Sequence, residues 1–285
     1  MRRRRATGRK EGHGRRASAS WSVLSGRKAG LLPVRVPDPT ATVPRAESTM
    51  ENEAIWNRAR TDLAIPTEDG DTDPFLWEHA ARVTRNAMRI AGLAEVGESE
   101  PDMAALEAAA LYHDAGWVIA VEEGEIGRME VLLRQVPAGH FERGAAMLEE
   151  RASGILAPDS LRRAVEVLRA METHDAALVE AQVLSDADNL DEFGLLSLWP
   201  NIRRGVLEGR GVESLLRTWR RRKEYRFWEA RLRDSFHFAA VRVLAERRLA
   251  LYDRFMEDLA NQAESADVRF DMPAVPDNHH ADTSS

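Results

Sequence analysis

The sequence predicts an all-α protein, and three observations carry that expectation. From about residue 51 to about residue 264, apolar residues recur at helical spacing almost without interruption. No stretch alternates apolar and polar residues with the period of a strand. No repeat of fixed period divides the chain, so a single helical domain is expected rather than a stacked array.

Residues 51–64 read as a first helix. Asp73-Pro74 is a start signal, and Leu76, Ala80, Val83, Ala87, Ile90 and Ala94 then recur on one face. Asp102–Tyr112 is Ala-rich with little polar face, so it is expected at the centre of the fold. It ends at His113-Asp114-Ala115-Gly116, where Gly116 can cap it. Further helices are expected over about 140–153, 159–173, 177–190, 195–208, 211–229 and 233–264. The domain is thus 51–264. Residues 1–50 and 265–285 are expected to be disordered tails, being rich in small, polar and Pro residues. The first of these reads as a solvated basic arm, or as sequence upstream of a start at Met50.

The chain is 44% apolar and 31% charged, with no cysteine. That excludes disulfides, thiolate metal sites and a cysteine nucleophile, and it suits a reducing cytoplasm. Any metal site must use His, Asp and Glu. The net charge of −7 conceals an asymmetry: residues 1–50 carry 12 Lys and Arg against 3 Asp and Glu, leaving −16 for the rest. An acidic body argues against broad nucleic-acid binding by the folded part. Nothing approaches the roughly 18 uninterrupted apolar residues of a membrane span. The arginines after Met1 are followed by no apolar core, so a secretory signal is not expected.

Four histidines and a late acidic run carry the chemistry. The contexts are Trp77-Glu78-His79-Ala80-Ala81-Arg82-Val83, Leu111-Tyr112-His113-Asp114-Ala115-Gly116, Gly139-His140-Phe141-Glu142-Arg143-Gly144, Glu172-Thr173-His174-Asp175 and Leu184-Ser185-Asp186-Ala187-Asp188-Asn189-Leu190-Asp191. Their order resembles the HD superfamily of metal-dependent phosphohydrolases: a His on one helix, an adjacent His-Asp pair ending a later one, and a distant Asp. The resemblance covers about 75–195. It implies an HD-type helical bundle, with His79, His113, Asp114 and Asp188 as ligands of a divalent transition metal (Mn, Fe, Co, Ni or Zn). Members with two metals place two more histidines between the His-Asp pair and the last Asp. His140 and His174 stand there, so a second ion bridged by Asp114 is expected, with pocket-lining histidines as the alternative.

Elementary geometry bears on the same residues. Neighbours inside a helix point about 100° apart and do not readily face one ion. At a helix end the backbone turns, so His113 and Asp114 can converge. A divalent ion there polarises a phosphoryl oxygen and activates water, with Asp114 at the catalytic centre. Of the acidic run, Asp186 is left to cap a helix or to orient a ligand histidine.

Arg82 and Arg143 follow His79 and His140 by three residues, one helical face on. Each is a candidate for binding substrate phosphate. The basic run Arg217–Lys223 reads as a solvated face, with reach to a nucleotide phosphate as the alternative. The function expected is hydrolysis of a nucleotide or other small phosphate ester by metal-activated water. A di-iron oxygenase on the same ligand set, or a non-catalytic binding module, are the alternatives. Substrate and oligomeric state are not legible.

Overall fold

A computed structural model describes residues 50–97, 99–133, 136–173 and 177–268 of the chain. At its centre lies α4 (Met103–Tyr112), every residue of which from Ala105 onward is buried. A helix without a polar face can only be interior. Asp102 caps it, its carboxylate accepting from the Ala105 amide at 3.0 Å. Two helices with strongly one-sided apolar faces, α2 (Phe75–Ala91) and α7 (Pro158–Ala170), pack on α4, and α8 (Val179–Asp191) packs on α2 and α4. α6 (His140–Ala152) lies against α7 and α4. Outside this layer, α1 (Met50–Asp62) is tied to α4 by two side-chain hydrogen bonds. Trp56 Nε1 donates to Glu107 at 2.7 Å, and the Tyr112 hydroxyl donates to Asp62 at 2.7 Å.

The all-α expectation holds, with one small exception. β1 (Ile65–Pro66) and β2 (Thr72–Asp73) form a two-stranded antiparallel ribbon ahead of α2. Asp73 does start α2, accepting from the Phe75 amide at 3.1 Å. It also receives the guanidinium groups of Arg203 and Arg128. Arg203 lies on α9 (Leu198–Leu207), so Asp73 fastens a later helix to the first turn of α2.

Three helix boundaries differ from the sequence reading. Gly116 does not cap α4. After His113, Asp114 and Ala115 the chain re-enters a helix, and Gly116 is the first residue of α5 (Gly116–Glu122). The helix expected over 211–229 is two: α10 (Val212–Glu224) and α11 (Phe227–Asp234), broken at Arg226 with φ +53°. The helix expected over 233–264 begins only at Ala239, as α12 (Ala239–Ala263). The cause is Asp186, whose buried carboxylate takes the amides of His237 (2.8 Å) and Phe238 (3.0 Å) and the His237 ring (2.9 Å). Asp186 is therefore a cap for α12, the first of the two roles left open for it.

A main apolar core fills the space between α1 and α8, and the start of α12 joins it. A smaller cluster of Leu198, Leu216, Trp219, Tyr252 and Met256 holds α9, α10 and α12 together. Residues 1–49 and 269–285, which contain most of the two expected tails, lie outside the described residues.

Candidate metal centre

The helices of the main core bring one end of α2, α4 and α8 to a common point. α2 contributes His79, the turn after α4 contributes His113 and Asp114, and α8 contributes Asp188. The His79 and His113 Nε2 atoms face each other at 3.2 Å. His79 Nε2 lies 3.3 Å from both Asp114 Oδ2 and Asp188 Oδ1, and His113 Nε2 lies 3.5 and 3.7 Å from the same two oxygens.

The other ring nitrogen of each histidine is already committed. His79 Nδ1 faces Asp191 Oδ2 at 2.9 Å, and His113 Nδ1 faces the Ala110 carbonyl at 2.8 Å. A carbonyl and a carboxylate can only accept, so each Nδ1 carries the hydrogen and donates it. In a neutral imidazole the Nε2 is then a bare lone pair. Two lone pairs and two carboxylate oxygens thus converge in a buried place. That is an unfavourable arrangement by itself and a natural one around a cation. Ligands about 2.1 Å from an ion stand roughly 3.0 Å apart at a right angle and roughly 3.4 Å apart at the tetrahedral angle. The three distances from His79 Nε2, 3.2 to 3.3 Å, fall in that range, and those from His113 Nε2 to the two carboxylates, 3.5 and 3.7 Å, lie just above it. His79, His113 and Asp114 form a buried cluster able to hold a divalent metal, and the donor set suits a transition ion.

Without an ion, protons compensate. Burial opposes charge on His79, but Asp114, Asp188 and Asp191 outweigh it and raise its pKa well above the ordinary histidine value. Burial likewise resists ionisation of Asp114, and the His113, His140 and His79 rings override it, holding that carboxyl well below the usual range. Metal loading must displace the imidazole protons, so affinity falls as the pH falls.

Asp191 was not singled out in the sequence. It accepts from His79 Nδ1 and from Arg82, whose Nε and Nη2 each lie 3.0 Å from it. Such a carboxylate fixes the ring's tautomer and aim. Its signal was its place three residues after Asp188, on the same face of α8. Asp191→Ala is expected to weaken metal binding by about 10–100-fold without unfolding the chain, read by competition with a chelator.

His140, the first residue of α6, is buried and places Nε2 3.0 Å from Asp114 Oδ1. Asp114 therefore presents one oxygen to His140 and the other to His79 and His113. This proximity explains Gly116: a Cβ there would lie 2.5 Å from the His140 carbonyl and 2.7 Å from His140 Nδ1. Gly116→Ala must push α6 off the His-Asp turn. It is expected to cost about 1–3 kcal/mol, measurable as a lower thermal midpoint. Gly144→Ala, whose nearest contact would be the Tyr112 carbonyl at 3.0 Å, should cost less.

His174 lies outside the described residues. Arg82 lines the cavity beside the cluster, a space of about 310 Å³. Arg143 does not. Its guanidinium turns to the surface, to Glu125 at 2.8 Å and Glu123 at 3.4 Å. These carboxylates, at the end of α5 and just beyond it, lie on the outer side of α6 and capture it there. The basic run of α10 divides. Arg220 pairs with Glu264 and Lys223 with Glu257, as a solvated face would, while Arg222 turns inward and lines the cavity.

Residues 76–192 match the family model described as the HD domain. This segment is an HD domain. It spans α2 to α8 and contains every residue of the metal cluster. No curated protein matches the chain. Among solved structures, the chain is similar to the Lin1889 protein of Listeria innocua. Identity is 15%, over 75% of this chain and 97% of that one, with a TM-score of 0.47. Bacillus subtilis YpgQ, solved in complex with ADP, gives 18% identity, 74% and 94% coverage, and a TM-score of 0.47. A protein described as a predicted HD superfamily hydrolase, from an uncultured Thermotogales bacterium, gives 18% identity, 74% and 92% coverage, and a TM-score of 0.46. Among the described residues, no helix is long and apolar enough to cross a membrane.

Proposed function

We propose that this HD protein is a metal-dependent phosphohydrolase acting on a nucleotide or another small phosphate ester. The observation that carries the reading is the convergence of two imidazole lone pairs and two carboxylates at the wall of a cavity that also holds arginines. The lining includes Asp114, Asp188, Asp191 and Glu192 against Arg82, Arg204 and Arg222. That leaves one net negative charge, which a single divalent ion reverses. With the imidazoles neutral, as ligation requires, the loaded cavity then attracts an anion.

His79, His113, Asp114 and Asp188 would hold the ion. When bound, it would supply a Lewis acid that polarises a phosphoryl oxygen and makes water more acidic. The chain's own groups prepare that centre. Arg82 holds Asp191, and Asp191 takes the His79 Nδ1 hydrogen, which keeps Nε2 free and aimed. His140 holds one oxygen of Asp114 and leaves the other for the cluster. Phe75, Trp117 and Trp228 line the same cavity and give it an apolar wall.

A single ion is part of the proposal. It follows from the hydrogen-bonding of His140, and it disfavours the di-iron oxygenase reading, which needs two. The test has two steps. Metal analysis of protein purified without added metal should find one divalent transition ion per chain. Phosphate release should then be screened over nucleotides and phosphomonoesters, with and without air. Release that is independent of oxygen and lost on chelation supports hydrolysis. Substrate turnover that consumes O₂ would replace this reading with the oxygenase.

A further inference from the structure

Two guanidinium groups in the cavity take no part in the metal centre. Arg222 lies against two aromatic rings, its guanidinium carbon 5.4 Å from the ring centroids of both Trp228 and Phe227. No carboxylate or carbonyl lies within hydrogen-bond reach of it among the described residues. Arg204, on α9, donates to the Leu133 carbonyl. A partly buried arginine without an acceptor is costly, and an anion relieves that cost. The cation–π contacts with Trp228 and Phe227 restrain the Arg222 side chain, so less freedom is lost when it binds.

The same two arginines, with Asn201, also line a second cavity of about 490 Å³ between α9, α10 and α12. The rest of its lining is largely apolar and includes Ile202, Val206, Leu215, Phe255 and Leu259. The sequence of environments is therefore a metal cluster, then a cationic threshold, then an apolar chamber. None of the threshold or chamber residues lies in the segment matched by the HD family.

We propose that Arg204 and Arg222 bind the anionic group of the substrate, and that the second cavity receives an apolar or aromatic body attached to it. Only the naming of the anion as a phosphoryl group rests on the hydrolase reading. The ligand class is thus an organic phosphate with a large apolar or aromatic substituent. The shared lining and the charge place that substituent across the threshold from the metal cluster.

The test is equilibrium binding of non-hydrolysable probes to Mn²⁺-loaded protein, by calorimetry. 1-Naphthylphosphonate is expected to bind at least roughly tenfold more tightly than methylphosphonate, because its rings enter the chamber. Arg222→Met, and separately Arg204→Met, should weaken both probes by roughly tenfold or more. Val206→Trp and Ile202→Asp should bring the ratio of the two affinities toward one. Val206 is 69% exposed and Ile202 44%, so neither replacement threatens the core. Equal affinities in the wild type, a ratio unchanged in both chamber variants, or no effect of either arginine replacement would overturn the proposal. Tight, arginine-dependent binding in a protein that releases no phosphate would leave it standing and remove the hydrolase reading instead.

Discussion

Asp114→Ala is expected to lose its metal and its turnover together while keeping its helices. Asp114 sits where α4 has ended and α5 has not begun, the one place where neighbouring side chains can face the same point as His79 and Asp188. Its Oδ2 lies 3.3 Å from His79 Nε2 and its Oδ1 3.0 Å from His140 Nε2, so no other residue can substitute for both contacts. Both oxygens face imidazole nitrogens. Circular dichroism should therefore remain helical while metal analysis falls to background and activity drops by roughly a thousandfold or more, the scale lost when a group central to transition-state stabilisation is removed. A variant that kept both metal and full activity would refute the metal centre.

The second large effect concerns His140. Were its Nε2 to hold a second ion, the hydrogen would move to Nδ1. That atom is buried with no acceptor among the described residues. An orphaned buried donor costs about 1–3 kcal/mol. The alternative tautomer leaves the same Nδ1 as an unpaired acceptor, but its Nε2–H donates to Asp114 and recovers one hydrogen bond. His79 and His113 show the contrast, since each has an acceptor for its Nδ1 hydrogen. His140→Ala should accordingly leave stoichiometry at one ion per chain but weaken binding by about 10–100-fold, through a misdirected Asp114. His140→Gln keeps an amide hydrogen near the Nε2 position and should recover most of the loss. Two ions in the wild type falling to one in His140→Ala would restore a two-metal centre with His140 as a ligand.

The converging residues were readable because the chemistry proposed for them forces their local context. A His-Asp pair can converge only at a helix break, and the apolar run ending at Tyr112 marks that break. Asp188 stood on a helical face whose next turn, at Asp191, holds the partner of His79, and that partner was legible in spacing though not selected. Other features depend on contacts made far along the chain. Arg143 was placed in the pocket by its spacing from His140, but Glu123 and Glu125 draw it outward. Gly116 looked like a cap, yet its small size serves the approach of His140, 24 residues on. The break at Arg226 has neither Gly nor Pro to announce it. The basic run of α10 looked uniformly solvated because nothing local distinguishes Arg222 from its neighbours. Only the packing of α10 against α11 turns that one guanidinium inward.

Asp73 gives the fold a further property. It belongs to the first turn before α2, and α2 carries His79, but its carboxylate is also the anchor for Arg203 on α9, the helix that supplies Arg204. The metal cluster and the cavity beyond it are therefore carried by successive stretches of the chain, and the Asp73–Arg203 pair is one of the ionic ties between them, with Glu192–Arg231 another. Substitutions at the exposed positions of α9 and α10, such as Ile202 and Val206, can reshape that cavity while the ties of Asp73 to Arg203 and of Asp186 to the start of α12 stay in place.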